Sequence, residues 1–309
     1  MTGRKDMWLK GCILLMDALS VKPKSPTTKF IVLKKRVRCT MDVAGSGWLS
    51  ASTSNSGTSV ISLYIVPSLN DIDDELLSQY RTVLDDSEKY RLSRFRFKKD
   101  RKRYLVTRAL IRYILTETIG GPPTKWRFST NKYGKPYLLA EDGMGSLHFN
   151  LSHTDSMVAC AVSETQELGL DVEKNPDSAD ILNAASDFFA EVEVQNLFSQ
   201  PANRRLHRFL EFWTLKEAFI KAVGMGLSMP LDKFWFALDG RSEIKVAIDK
   251  QYAFLEGDWS FFLFRPAADH LGALAIKEKT NFHEFIISKV VPFKELQPVY
   301  MAINSRPQF

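Results

Sequence analysis

The sequence predicts an α+β protein built of two pseudo-symmetric subdomains, and three observations lead there. Short runs of β-branched and aromatic residues recur along the chain, as in "VISLYIV", which Pro67 stops. Between them lie segments with helical spacing, the longest being "KDRKRYLVTRALIRYILTETIG" and residues 206–223. Strands and helices also follow a similar coarse order in both halves, although no residue-level repeat is present, so the likeness of the halves rests on pattern. With 309 residues, 45% of them hydrophobic, the chain can bury a sizeable core.

Residues 1–57 come first and lack steady periodicity. Lys and Pro cluster in "VKPKSPTTK", and "GSGWLSASTSNSGTS" has linker composition, so a poorly ordered N-terminal extension is expected, with Met41 available as a second start. Residues 58–145 are expected to form the first subdomain, opening on "VISLYIV". "DIDDELLSQYRTVL" and "DDSEKYRLSRFRF" follow as helices, with Asp and Ser placed to accept hydrogen bonds from their first amides. In the long helix that comes next, Leu105, Ala109, Ile111 and Leu115 keep near-helical spacing and Arg101, Arg108 and Arg112 share another face; Gly120 and Gly121 end it. "WRFSTNKYGKPYLL" reads as strand, turn and strand. The second subdomain, residues 146–296, has strands at "LHFNLSH", "MVACAVS" and "LGLDVEK", helices at about 181–198 and 206–223, and strands at "FWFAL", "WSFFLF" and "LGALAIK". Residues 297–309 form a C-terminal tail to which the sequence assigns no role.

Charge is unevenly spread. The net +6 hides a block at residues 89–112 that holds eleven Lys or Arg against one acid, Asp100, for a local charge of +10. Such a block implies an anionic partner: nucleic acid, a phosphorylated small molecule or an acidic protein surface. No apolar run approaches the ~18 to 20 residues needed to cross a bilayer, and the N-terminal stretch "GCILLM" is short, so neither a signal peptide nor a membrane anchor is expected. The three cysteines are odd in number and lack the paired spacing of a zinc site or a disulfide framework, which fits a reducing cytoplasm.

Two short stretches place acids where a folded core prefers apolar residues. In "LGLDVEK", Leu168, Leu170 and Val172 alternate with Gly169, Asp171 and Glu173, so a strand buries one row and sets both carboxylates on the opposite face. Two acids in one small volume raise each other's pKa or demand a cation, and carboxylates together with substrate phosphates are how Mg²⁺ is usually held. A solvated strand face is the ordinary alternative. In "FWTLKEAFIKAVGMGL", Trp213, Glu217 and Lys221 fall at i, i+4 and i+8 and form one helical stripe. An exposed Glu to Lys pair is its ordinary reading, yet Phe212, Leu215, Phe219 and Ile220 put apolar bulk on the other sides, which points the stripe into a protected cleft.

"FNLSH" ends an apolar strand with a hydroxyl and an imidazole, Ser152 and His153, both able to bond a phosphate, although a capping Ser and a surface His are the usual explanation. No acid is spaced to make the two a hydrolase pair, and "GxSxG" is absent. "YGKP" is a turn that carries Lys135.

In this order, a basic helical segment, "FSTNKYGKP", "FNLSH", "GLDVEK" and "FWTLKEAFIKAVGMGLSMPL" resemble the 4'-phosphopantetheinyl transferase superfamily, specifically its large surfactin-synthetase (Sfp) type, over roughly residues 60–296. The resemblance implies transfer of the phosphopantetheine arm of coenzyme A to a serine of an acyl or peptidyl carrier protein, with release of adenosine 3',5'-bisphosphate. It also implies that Asp171, Glu173 and Glu217 are Mg²⁺ ligands, that Glu217 is the base, directly or through water, and that Lys221 contacts the phosphates and helps the bisphosphate leave. Arg108, Lys135, Ser152 and His153, with Asp171 and Lys221, match positions that contact coenzyme A; Lys89 and Arg91 fall in a basic region near its 3'-phosphate. The resemblance further implies a monomer with the coenzyme A site in the cleft between the two subdomains, and neither a nucleic acid nor a membrane as partner.

A rival of another class is a nucleic-acid-binding module, since Tyr90, Phe95, Phe97 and Tyr104 are interleaved with the basic block. That reading leaves the acids of "GLDVEK" and "WTLKEAFIK" without a role.

Overall fold

Alternation and capping shape the elements of this computed structural model, which describes residues 39–40, 59–139, 147–239, 243–277 and 283–306. The N-terminal extension and its alternative start at Met41 lie outside these residues, apart from the short strand β1 (Cys39–Thr40). Strand β2 (Ser59–Val66) leads into α1 (Asp74–Thr82) and α2 (Asp86–Arg94). Asp73 caps α1 by accepting from the amide of Leu76 at 2.8 Å, and Asp85 and Glu88 form a reciprocal capping box at the start of α2. Helix α3 (Lys98–Ile119) runs 22 residues and stops at Gly120, whose φ of 89° suits glycine. The hairpin β3 (Phe128–Thr130) and β4 (Pro136–Leu138) follows, then β5 (His148–His153), β6 (Val158–Ser163) and β7 (Leu168–Lys174).

The helix expected near 181–198 is broken. It appears as a 3-10 turn at Ala179–Ala184, then α4 (Ala185–Phe188) and α5 (Glu191–Ser199). The break has a local cause: Phe189 and Ala190 are extended, and Glu193 folds back to accept from the Ala190 amide at 3.0 Å, which starts a new helix. Helix α6 (Ala202–Val223) is another of 22 residues and ends at Gly224, with φ of 75°. The remaining strands are β8 (Phe234–Ala237), β9 (Lys245–Ile248), β10 (Ser260–Phe264), β11 (His270–Ile276), β12 (His283–Val291), β13 (Glu295–Pro298) and β14 (Ile303–Asn304).

Four layers result. One sheet has the order β1-β12-β2-β6-β5, with β13 also on β12, and the second has the order β14-β10-β11-β7. Ile61, Leu63, Ile65, Leu168, Leu170, Val172, Phe262, Leu274 and Ile287 fill one core between the sheets. On the outer face of the first sheet, Val66, Leu151 and Cys160 pack against α1 to α3; on that of the second, Phe261, Leu271 and Ala273 pack against α6. The α+β class is as expected, with a long helix outside each sheet.

Strand pairing runs across two of the boundaries expected from the sequence. Strands β5 and β6, expected after residue 145 in the second subdomain, pair with β2 in the first sheet, so the chain crosses between sheets after β6. The tail is stitched into both sheets through β13 and β14, and Ile303 lies in the shared core. Both outcomes depend on long-range pairing that no local pattern encodes. Among the described residues, no helix is long and apolar enough to cross a membrane.

Candidate active site at the seam between the sheets

Edge strands β5 and β7 lie side by side where the two sheets meet. An edge exposes backbone N–H groups, and buried ones need partners. Asn150 and Ser152, both buried on β5, supply them: the amide of Leu170 donates to Asn150 Oδ1 at 2.8 Å and that of Val172 to Ser152 Oγ at 3.2 Å. Ser152 Oγ then donates to Asp171 Oδ1 at 2.9 Å and accepts from Lys221 Nζ at 3.1 Å, which uses all the capacity of a hydroxyl. The polar residues of "FNLSH" thus tie one half of the molecule to the other.

Strand β7 alternates as its sequence requires. Leu168, Leu170 and Val172 enter the core between the sheets, and Gly169, Asp171 and Glu173 face α6. Gly169 lets the helix come close, because a Cβ there would lie 2.0 Å from the carbonyl oxygen of Ala218 and 2.4 Å from the amide of Ala222. The helix answers with its own stripe. Trp213 Nε1 donates to Glu173 Oε1 at 2.9 Å, Glu217 is buried, and Lys221 Nζ lies 2.7 Å from Asp171 Oδ1. Burial, then the charges of Asp171 and Glu217, push the Glu173 carboxyl well above the usual carboxylate range.

The three acids expected on one ion are therefore electrostatic neighbours. Among the described residues, however, no three His, Cys, Asp or Glu side chains are gathered into a formed metal-binding set. Asp171 Oδ1 is taken by Ser152 and Lys221, whereas Asp171 Oδ2 is buried and has no hydrogen-bond partner. Hard carboxylate oxygens, one of them orphaned, crowd round the single ammonium of Lys221. That donor set fits a hard divalent cation such as Mg²⁺.

From the first half, Arg108 and His153 line one pocket together with Phe95, Asp100, Arg103, Tyr104 and Thr107. Burial, then the positive charges of Arg103 and Lys221, hold the His153 imidazole down at about 3, so it is neutral near pH 7. Arg108 is buried, with Nε 3.6 Å from Glu88 Oε1 and its guanidinium over the rings of Tyr104 and Phe128. Arg91 also sits over the Tyr104 ring, and Lys89 is exposed, paired with Asp86 at 3.4 Å. Lys135, expected on coenzyme A, donates from its ammonium to the carbonyls of Ala222 at 2.9 Å and Leu168 at 3.3 Å. Burial lowers that amine to about 8. Arg103 and Asn150 went unsingled in the sequence; Arg103 was one basic residue among eleven, and its pairs with Asp100 (2.9 Å) and Asp155 (2.7 Å) reveal its place only in three dimensions.

Comparisons with known proteins give the family. A family model described as "4'-phosphopantetheinyl transferase, N-terminal" matches residues 72–165, and one described as "4'-phosphopantetheinyl transferase superfamily" matches residues 167–275. The 4'-phosphopantetheinyl transferase gsp of Aneurinibacillus migulanus is 32% identical over 192 residues, covering 62% of this chain and 76% of the relative. The chain belongs to the 4'-phosphopantetheinyl transferase superfamily. It is an enzyme of the Sfp type: the 4'-phosphopantetheinyl transferase Sfp of Bacillus subtilis (strain 168) is 29% identical over 175 residues, 57% of this chain and 75% of the relative. HetI of Nostoc sp., also a 4'-phosphopantetheinyl transferase, is 32% identical over 180 residues, 58% of this chain and 76% of the relative. The two transferase matches meet at residue 166, between β6 and β7, where the chain passes from one sheet to the other.

Proposed function

We propose that this transferase moves the 4'-phosphopantetheine arm of coenzyme A onto a serine of an apo acyl or peptidyl carrier protein. The serine oxygen bonds to the phosphorus bearing the pantetheine arm, the P–O bond to the nucleotide breaks, and adenosine 3',5'-bisphosphate leaves. One observation supports this reading most: Asp171 and Glu173 of β7 meet Glu217 and Lys221 of α6 in one buried seam.

Asp171, Glu173 and Glu217 would hold Mg²⁺, which when bound neutralises the pyrophosphate and stabilises the charge that develops as its P–O bond breaks. Glu217 takes the proton of the carrier serine, directly or through water. Lys221, already placed against Asp171 and Ser152, presents an ammonium to the departing phosphate oxygen. On the first half, Arg108 offers a fixed guanidinium to the phosphates and His153 a neutral imidazole that can donate one N–H. Ser152 contributes its position beside both Asp171 and Lys221, and Lys89 and Arg91 add positive charge toward the 3'-phosphate.

The decisive experiment incubates the purified protein with coenzyme A, Mg²⁺ and a panel of apo-carriers, then weighs the carriers for an added phosphopantetheine arm. Gain of that mass by the wild type, with a rate at least about 100-fold lower for Asp171→Ala and Glu217→Gln, is the expected result. No gain on any carrier, together with salt-sensitive oligonucleotide binding indifferent to Asp171→Ala, would transfer the assignment to a nucleic-acid partner.

A further inference from the structure

The last turn of a helix leaves four carbonyls without intrahelical partners, and in α6 that turn carries Lys221. Two of its terminal carbonyls are met by side chains from the first half. Asn131 Nδ2 donates to the carbonyl of Gly224 at 2.8 Å, and Lys135 Nζ to that of Ala222 at 2.9 Å, while the same ammonium reaches Leu168 at the start of β7. The turn that presents them is itself fixed. Asn131 Oδ1 accepts from the amides of Tyr133 and Lys135, each at 2.9 Å, and Gly134 takes a φ of 90°. Packing is tight, since a Cβ at Gly224 would lie 3.0 Å from Lys135 Cδ and 3.1 Å from Asn131 Nδ2. A cation at a helix C-terminus also opposes the helix dipole favourably.

We infer that Asn131 and Lys135 are positioning residues: they cap the C-terminus of α6 from the opposite half of the molecule and so hold Lys221 against Asp171. The ammonium of Lys135 is spent on protein carbonyls and serves coenzyme A only through Lys221. This inference rests on the role proposed above for Lys221, and its effect on rate follows from how steeply transfer depends on placement.

Three variants test it: Asn131→Asp, which keeps the acceptor that orders the turn but loses the donor to Gly224; Asn131→Ala; and Lys135→Met. Each is expected to lower kcat about tenfold while the KM for coenzyme A moves less than about twofold, because the substrate contacts remain. Asn131→Ala combined with Lys135→Met is expected to lose little beyond the worse single variant, as for residues acting on one element. Independently of catalysis, amide exchange of residues 219–224 should quicken about fivefold in Asn131→Asp, the factor corresponding to one net hydrogen bond. A KM for coenzyme A raised about tenfold in Lys135→Met with kcat unchanged would overturn the inference and make Lys135 a substrate ligand. Unchanged exchange in Asn131→Asp would overturn it as well. If Lys135→Met does not fold, Asn131→Asp still decides. If the wild type modifies no carrier, the proposed function fails while the exchange measurement continues to judge the cap.

Discussion

At Gly169 the absence of one carbon sets how far the acids of β7 stand from α6. An alanine there would drive its Cβ into the Ala218 carbonyl at 2.0 Å and the Ala222 amide at 2.4 Å, both backbone atoms that cannot swing aside. Gly169→Ala is therefore expected to destabilise the protein by about 3 kcal/mol, at the upper end of overpacking effects, and to slow transfer disproportionately by pushing Glu217 and Lys221 away from Asp171. The urea midpoint and the single-turnover rate check it; a variant of wild-type stability and speed would show that α6 does not depend on this contact. The sequence carried the alternation that faces Gly169, Asp171 and Glu173 one way, because period two is a property of a strand wherever it lies. It did not carry the reason for the glycine, which is a helix some fifty residues away in the chain packed against it.

The basic helix α3 teaches the opposite lesson at the scale of an element. In the sequence, Arg101, Arg108 and Arg112 look like one charged face, yet Arg108 and Arg112 are buried. Arg112 Nη2 lies 2.6 Å from Glu88 Oε2, and its Nη1 donates to the carbonyls of Pro123 and Trp126, each at 2.9 Å. Partners on another helix and in a loop convert a surface charge into a core strut, and spacing along α3 alone cannot show that. Glu88→Gln strips the nearer carboxylate from this buried guanidinium and, among the described residues, leaves it only the acid Asp85, with Oδ2 at 3.5 Å, so a loss of about 3 kcal/mol is expected, read as a lowered denaturation midpoint. Because Glu88 also neighbours Arg108 at 3.6 Å, the same variant should weaken coenzyme A binding, measurable by calorimetry. The caps of α1 and α2 were legible, since Asp73 and Asp85 each accept from the amide three residues ahead. The break at Phe189 and Ala190 was not: Glu193 both starts α5 and pairs with Lys216 of α6 at 2.7 Å, a partner beyond any local window. Within the site, the stripe of Trp213, Glu217 and Lys221 was readable from 3.6-residue periodicity, whereas the bond from Lys135 to the Ala222 carbonyl depends on where α6 happens to end.

At the scale of the whole molecule, His283 contributes stability that is lost on acidification in a definite window. His283 is 1% exposed beside Phe262 and Phe285, neither ring nitrogen has a hydrogen-bond partner, and burial pulls its imidazole down to about 4. An unfolded chain binds that proton near the ordinary histidine value, so between pH 6.5 and 4 the unfolded state holds more protons and stability drops as pH falls. From pH 7 to pH 5 the contribution of this residue is about 2 kcal/mol. His283→Phe should flatten the pH dependence of the denaturation midpoint by that amount, and an unaltered slope would refute the assignment. His283 opens β12, and that strand has a wider consequence. It lies parallel to β2, in the interior of the first sheet, although the chain reaches it only after forming β7, β10 and β11 of the second; Tyr80 bonds the carbonyl of Pro292 across 212 residues. During synthesis, then, β2 emerges more than 200 residues ahead of β12, and one of its hydrogen-bonding edges stays uncovered until that strand follows. A growing chain therefore cannot close its first sheet until β12 has followed.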